Sequence, residues 1–299
     1  MSLLDQLIAA SLAVIPKPVV GIVAKHYIAG ETMEEALDVA SDLEDRGFLT
    51  SVDVLGEDPT RIEQARGAAE LYGRLVDEIE KRSLSANVSI KPTLFGLKIN
   101  KQECRDLIRW LLERAHTHRN FVRVEMEDST CTTDTIDVYR SLSKGFDNVG
   151  IVIQAYLRRS NDDIAAMKDI HPNVRIVKGV YVEELDIAYK DPRIINESYM
   201  FLAETLLASG SYVAFATHDE PLVREAFRLV ERLGLPASAY EFQMLLGVEE
   251  ELRNMILDAG HRIRVYIPFG RDWHPYSVRR LRENPAIARH VMRAMLKRG

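Results

Sequence analysis

The sequence predicts an α/β fold, a (β/α)8 barrel of the TIM type with an N-terminal helical cover, and three observations predict it. Eight strand-like runs recur along the 299 residues, and each is followed by a helical run. The strand-like runs are β-branched, apolar and almost unalternated, which is the pattern of parallel strands covered on both faces. Strands alternating with helices imply right-handed crossovers, and eight such units in about 250 residues suit a closed barrel. No G-x-G-x-x-G follows any strand, which disfavours the alternative, a doubly wound open sheet. No Pro/Gly/Ser-rich linker interrupts the pattern, so the chain reads as one structural domain, with residues 1–46 as the cover and 47–299 as the barrel.

The first residues, MSLLDQLIAASLAVIPKPVV, are apolar, but Asp5 and Gln6 interrupt them and no small-residue cleavage site follows. They read as an amphipathic covering helix ended at Pro16, not as a signal peptide or a membrane span. Thr32-Met33-Glu34-Glu35 is a capping box; the helix it opens runs to about Arg46, where Gly47 stops it. FLTSVDVLGE is the first strand. ANVSIKPTLFG is the second, followed by a helix over KQECRDLIRWLLERAH. FVRVEME leads to a helix near TDTIDVYRSLS, and NVGIVIQAYL to one begun by Asn161 or Asp162. VRIVKGVY precedes a helical stretch around NESYMFLAETLLASG, and YVAFATHD precedes EPLVREAFRLVERLG. YEFQMLL leads to VEEELRNMILDAG, and RIRVYIPFG to the last helix, which carries DWHPYSVRRLREN.

The composition is globular, 46% hydrophobic and 28% charged, with a net charge of −6. A nucleic-acid binder would show a basic excess, and this chain has none. The two cysteines, Cys104 and Cys131, make no disulfide framework and suit a reducing cytoplasm. No spacing resembles a metal cluster, and His116-Thr117-His118, the one close histidine pair, reads as a solvated helix end.

Barrels of this kind place their chemistry at the C-terminal ends of the strands. The polar residues expected there are Asp53 and Glu57, Lys91, Glu125 and Glu127, Gln154 and Tyr156, Arg175, Lys178 and Tyr181, Thr217 and His218, Gln243, and Tyr266. Unpaired buried charge is costly, so together they suggest a polar mouth and a small-molecule site. On the last helix, Tyr276, Arg279, Arg280 and Glu283 share one face. Two arginines there make either a solvated basic face or a fork that holds and orients a carboxylate.

The motifs VDVLGE, SIKPTLFGL, VRVEMED, IVIQAYL, VRIVKGVY, FATHD, YEFQMLLG, VYIPFG and WHPYSVRRLREN run in order from about residue 40 to residue 285. The ordered set resembles the proline dehydrogenases, and most of all their compact monofunctional bacterial members. The resemblance implies FAD-dependent oxidation of L-proline to Δ1-pyrroline-5-carboxylate by hydride transfer to flavin N5. Electrons would then pass to a quinone-type acceptor, with transient contact at a membrane surface.

It also implies roles. Arg279 and Arg280 would bind the proline carboxylate, assisted by Lys91. Tyr181, Tyr266 and Tyr276 would wall the pocket, with Leu245 beside them. Glu57 would pair with Arg279 to close the site. Arg175 would lie near flavin N5, where a cation stabilises negative charge on the reduced ring. Gln154, the backbone around Met126, Lys178-Gly179-Val180 and Thr217-His218 would make the other FAD contacts. Three departures stand out. Glu125 replaces the usual aspartate after the third strand, with the expected role of orienting Tyr266 or Lys91. Val182 stands where many relatives carry an aromatic. NESY replaces a frequent Thr-Asp pair, which bears on any adenosine contact by Asn196. A barrel lyase with a Schiff-base lysine at Lys91 or Lys178, and a non-catalytic amino-acid binder, are the rival readings.

Overall fold

A computed structural model of the chain describes residues 26–56, 58–274 and 276–277. Its eight strands are β1 (Leu49–Val54), β2 (Asn87–Ile90), β3 (Val122–Val124), β4 (Val149–Gln154), β5 (Val174–Val177), β6 (Val213–Ala216), β7 (Tyr240–Leu245) and β8 (Ile263–Phe269). They pair in sequence order, all parallel, and β8 returns to β1, so the sheet is a closed barrel. Closure leaves no free edge, and the fold class expected from the sequence is the one observed.

The helices outside the wall are α1 (Met33–Asp45), α2 (Ile62–Lys81), α3 (Lys101–Thr117), α4 (Ser129–Leu142), α5 (Ser160–Ala166), α6 (Pro192–Ala208), α7 (Glu220–Arg232) and α8 (Glu250–Asp258). The capping box is present: Glu35 N donates to Thr32 Oγ1 at 3.3 Å and Thr32 N to Glu35 Oε2 at 3.0 Å. Gly47 ends that helix at φ +88°, a left-handed value that favours glycine. The helix α1 packs against both β1 and β8 and so covers the seam where the barrel closes. Two helices begin earlier than expected. Helix α5 starts at Ser160, and Arg159 Nε pairs with Asp163 Oδ2 at 2.8 Å. Helix α6 starts at Pro192 because Asp191 Oδ1 accepts from Arg193 N at 2.9 Å and proline suits the first turn. The histidine pair lies at the end of α3, with His118 Nε2 at 3.3 Å from Asp77 and His116 Nδ1 at 3.6 Å from Asp147. Both cysteines are buried and unbridged.

The strands alternate after all, between two buried faces. Outward-facing Val52, Val88, Ile90, Val122, Val124, Ile176, Phe242 and Val265 belong to the core between wall and helices. The lumen is polar. Arg264 on β8 clamps Glu241 on β7 with Nε to Oε1 at 2.8 Å and Nη2 to Oε2 at 3.1 Å, and its Nη1 donates to Thr50 O at 2.6 Å. Burial alone would raise the Glu241 carboxyl, but Arg264 and the neighbouring Gln243 hold it down at about 2.

Candidate active site

Above that clamp the lumen carries a second group of charges. Arg175 is the second residue of β5, so it sits within the wall instead of at the rim where strand-end reasoning places it. Its Nη1 pairs with Glu125 after β3, and its Nη2 donates to Ser89 Oγ on β2 at 3.1 Å. Its guanidinium carbon lies 5.3 Å from the ring centre of Tyr266 on β8, within cation–π range. Strands β2 and β8 are each three positions from β5 in the barrel, so the side chain crosses the lumen. Its Nε is buried, with no hydrogen-bond partner among the described residues.

Glu125 therefore holds Arg175, not Tyr266 or Lys91 as the family resemblance led one to expect. Those two are gathered by Asp53, the fifth residue of β1. Lys91 Nζ lies 2.6 and 2.7 Å from the two Asp53 carboxylate oxygens, and the nearby Tyr266 phenol also acts to lower that carboxyl. Burial pushes the Asp53 carboxyl up while Lys91 pulls it down, with a net rise. Burial and the charges of Asp53 and Glu125 drive the Tyr266 phenol well above its ordinary 10, so it is a hydroxyl donor at neutral pH. The loop bearing Lys91 is pinned two residues on. Thr93 donates from N and Oγ1 to the Glu127 carboxylate at 2.9 and 2.7 Å. Gln154 Nε2 in turn donates to Glu127 O at 2.8 Å, which places Gln154 beside the backbone that follows Met126.

A second group lies at the ends of β5 to β7. Lys178 reaches Asp219, which also accepts from Asn196 Nδ2 at 3.3 Å. Burial would raise the Asp219 carboxyl, but Lys178 and Asn196 hold it below its ordinary value. Asp219 N donates to Thr217 Oγ1 at 3.1 Å. His218 Nε2 accepts from Leu245 N at 2.9 Å, so a neutral ring carries its proton on Nδ1. Gly179 adopts φ +116°, and a Cβ there would collide with the Tyr156 ring. The backbone needs glycine at this bend. Val180 and Val182 beyond it are exposed, Val182 almost wholly, and Tyr181 between them is partly buried. Tyr276 is buried with Ile28 and Leu55, and Tyr27 and Trp273 pack on that cluster.

The structure thus brings together Lys91, Glu125, Arg175 and Tyr266, and separately Lys178, Thr217, His218 and Leu245. Glu57, Arg279 and Arg280 lie outside the described residues. Sequence reasoning gave Asp53 a place at the mouth but no role, and passed over Ser89; of the two, only Asp53 carried a signal, as a carboxylate in an apolar strand. Among the described residues no group of three or more His, Cys, Asp or Glu is placed to hold a metal ion. None of the described helices is long and apolar enough to cross a membrane.

Comparison with known proteins agrees with this geometry. The family model for proline dehydrogenase matches residues 36–293. Proline dehydrogenase 1 of Bacillus subtilis subsp. natto is 35% identical over 275 residues, covering 92% of this chain and 91% of its own. The proline dehydrogenase of Deinococcus radiodurans is 34% identical over 280 residues, covering 92% and 90%. Among solved structures, proline utilization A from Bdellovibrio bacteriovorus, inactivated by N-propargylglycine, superposes with a TM-score of 0.83 at 28% identity. That match covers 88% of this chain but 33% of the longer protein. A mutant of proline utilization A from Bradyrhizobium japonicum gives a TM-score of 0.75 at 26% identity over 88% of this chain and 31% of its own. With matches of this breadth, the chain belongs to the proline dehydrogenase family of oxidoreductases.

Proposed function

We propose that this enzyme uses FAD to oxidise L-proline to Δ1-pyrroline-5-carboxylate, the first step of proline degradation, and passes the electrons to a quinone-type acceptor. The observation that carries the reading is the contiguous group Arg175, Glu125, Tyr266, Asp53 and Lys91 inside the barrel, with fixed positive charge beside aromatic surface. Proline offers a carboxylate for the cations and an apolar ring for the aromatic side chains.

The residues present fit a flavin. Arg175 retains a buried Nε with no partner among the described residues, and Gly179 keeps the strand-end backbone open where a side chain would strike Tyr156. Arg175, Gln154, the Met126 backbone, Lys178, Gly179, Val180, Thr217 and His218 would hold it. When bound, FAD would supply the two-electron acceptor for the hydride that leaves the ring carbon bonded to nitrogen on the side away from the carboxylate (Cδ).

This chain's own residues then do the rest. Lys91, with Arg279 and Arg280, binds the carboxylate. Tyr266, with Tyr181, Tyr276 and Leu245, walls the ring, and Glu57 closes the site against Arg279. Arg175 presents a guanidinium, held by Glu125, where negative charge accumulates. The amine proton leaves as the C=N bond forms. Both rival lysines are ion-paired, Lys91 with Asp53 and Lys178 with Asp219. A Schiff-base mechanism instead needs a desolvated amine without such a partner.

Anaerobic addition of L-proline to the purified protein tests the reading. The visible flavin bands should bleach as Δ1-pyrroline-5-carboxylate forms. Bound flavin unmoved by proline would favour a binder, and a protein that takes up no flavin would overturn the proposal.

A further inference from the structure

We propose that Tyr72, on α2 outside the barrel wall, is a positioning residue for the substrate end of the site, acting through Asp53 on Lys91 and Tyr266. The inference rests on the functional reading above and names a residue that reading does not use.

Tyr72 is fully buried, and its ring packs against Phe95 at a centroid distance of 5.6 Å. Its hydroxyl enters the wall where β1 and β2 part. Asp53 and Ser89 are register partners there. One position further on, the two strands are linked through the phenol: Val54 N donates to Tyr72 Oη at 3.0 Å, and Tyr72 Oη donates to Ser89 O at 2.7 Å. The same oxygen lies 3.2 Å from Asp53 Oδ1.

A phenol has one proton and two acceptor sites. The proton goes to its nearest acceptor, Ser89 O, and Asp53 stands within reach as the second. Three polar groups from two strands, Asp53 and Val54 of β1 and Ser89 of β2, therefore meet at one oxygen, and a side chain anchored outside the barrel fixes the separation of β1 and β2 at the mouth. That separation matters because of what the two strands carry. Asp53 on β1 holds Lys91, which follows β2, and lies close enough to Tyr266 on β8 for the two side chains to influence each other's ionisation. Ser89 on β2 offers its hydroxyl to Arg175. A shift at Tyr72 thus displaces the carboxylate-binding lysine and an aromatic wall together, and reaches the arginine through Ser89. Burial and the Asp53 charge keep the phenol protonated.

Tyr72→Phe removes the oxygen and leaves the rest of the ring. Proline KM should rise about tenfold, while kcat stays within about twofold and flavin content is unchanged. In an Asp53→Asn background the same substitution should change KM by less than about twofold, because the two residues act in one chain. A lowered melting temperature with unmoved KM, or additive effects of the two substitutions, would reduce Tyr72 to a structural residue and overturn the inference. If Tyr72→Phe does not fold, Tyr72→4-aminophenylalanine replaces it. Its second N–H gives Asp53 a full donor, so KM should shift by about threefold or more, and an unmoved KM again overturns the inference. A parent protein inert to proline would sink the functional reading itself, and this inference with it; an active parent whose KM ignores Tyr72 sinks the inference alone.

Discussion

Arg175 on β5 and Ser89 on β2 meet in the barrel lumen at 3.1 Å, across a closed sheet in which their strands are three positions apart. Few side chains span that distance, and an arginine that does so cannot be a solvated strand-end cation. It is part of the site's frame. The lumen is built in tiers, with Arg264 and Glu241 below, Arg175 and Glu125 above them, and Asp53 with Lys91 toward the mouth.

The Lys91 tier answers to charge removal. Lys91→Met leaves the fully buried Asp53 carboxylate without its cation. Stability at neutral pH should fall by about 3–5 kcal/mol, and proline KM should rise. The measurements are denaturant unfolding and steady-state kinetics. Asp53→Asn in the same background should restore much of the stability but not the KM.

Arg279→Met and Arg280→Met should each raise proline KM and leave FAD bound. Losing one charge-assisted pair costs about 1.5–3 kcal/mol, roughly 10- to 150-fold in affinity. Flavin absorbance and proline kinetics on the two variants decide the matter, and KM values equal to the parent's would remove the arginines from the carboxylate site.

Gly179 tests the proposed flavin cradle. Gly179→Ala forces a side chain into a left-handed backbone and against Tyr156. The strain should cost about 1–3 kcal/mol, read as a lower melting temperature. Flavin content after purification should fall with it, whereas Gly234→Ala, at a bend with the same sign of φ and open space around it, should keep full flavin.

The lowest tier contributes to acid sensitivity. The Glu241 carboxyl is at about 2 in the folded protein against an ordinary 4.5. A carboxyl depressed by folding stabilises the folded state in full above its unfolded value, and the contribution drains away as pH falls from about 4.5 toward 2. Glu241→Gln should therefore flatten the loss of stability over that window. At pH 7 it should cost about 3–5 kcal/mol, because buried Arg264 loses its counter-charge. Thermal unfolding of both proteins from pH 7 to pH 3 gives both results.

The architecture was legible because eight apolar runs separated by capped helices leave few arrangements other than a barrel. Thr32 and Glu35 announced α1 to within a residue. The starts of α5 and α6 were less clear, since Arg159 and Asp191 act through side-chain bonds that periodicity does not record. Lys91, Arg175 and Tyr266 were visible as polar residues in apolar strands. Their partners were not. Glu125 was expected to hold Tyr266 or Lys91, yet the barrel's curvature brings it to Arg175 and gives the other two to Asp53. Tyr72 left no trace in the sequence, because a tyrosine on an amphipathic helix reads as core until the wall it penetrates is seen.

The measurement that bears most directly on Arg175 as the cation of the redox centre is potentiometry with anaerobic stopped-flow on Arg175→Met. A guanidinium beside the flavin favours the negatively charged reduced ring, so its loss should lower the midpoint potential, by about 30 mV for each 1.4 kcal/mol of lost stabilisation in a two-electron couple. Flavin reduction by proline should slow as well, while proline affinity should change less, because in the proposed site Lys91, Arg279 and Arg280 would hold the carboxylate. A variant that binds FAD with the parent's potential and the parent's reduction rate would contradict the account and leave Arg175 a strut of the barrel.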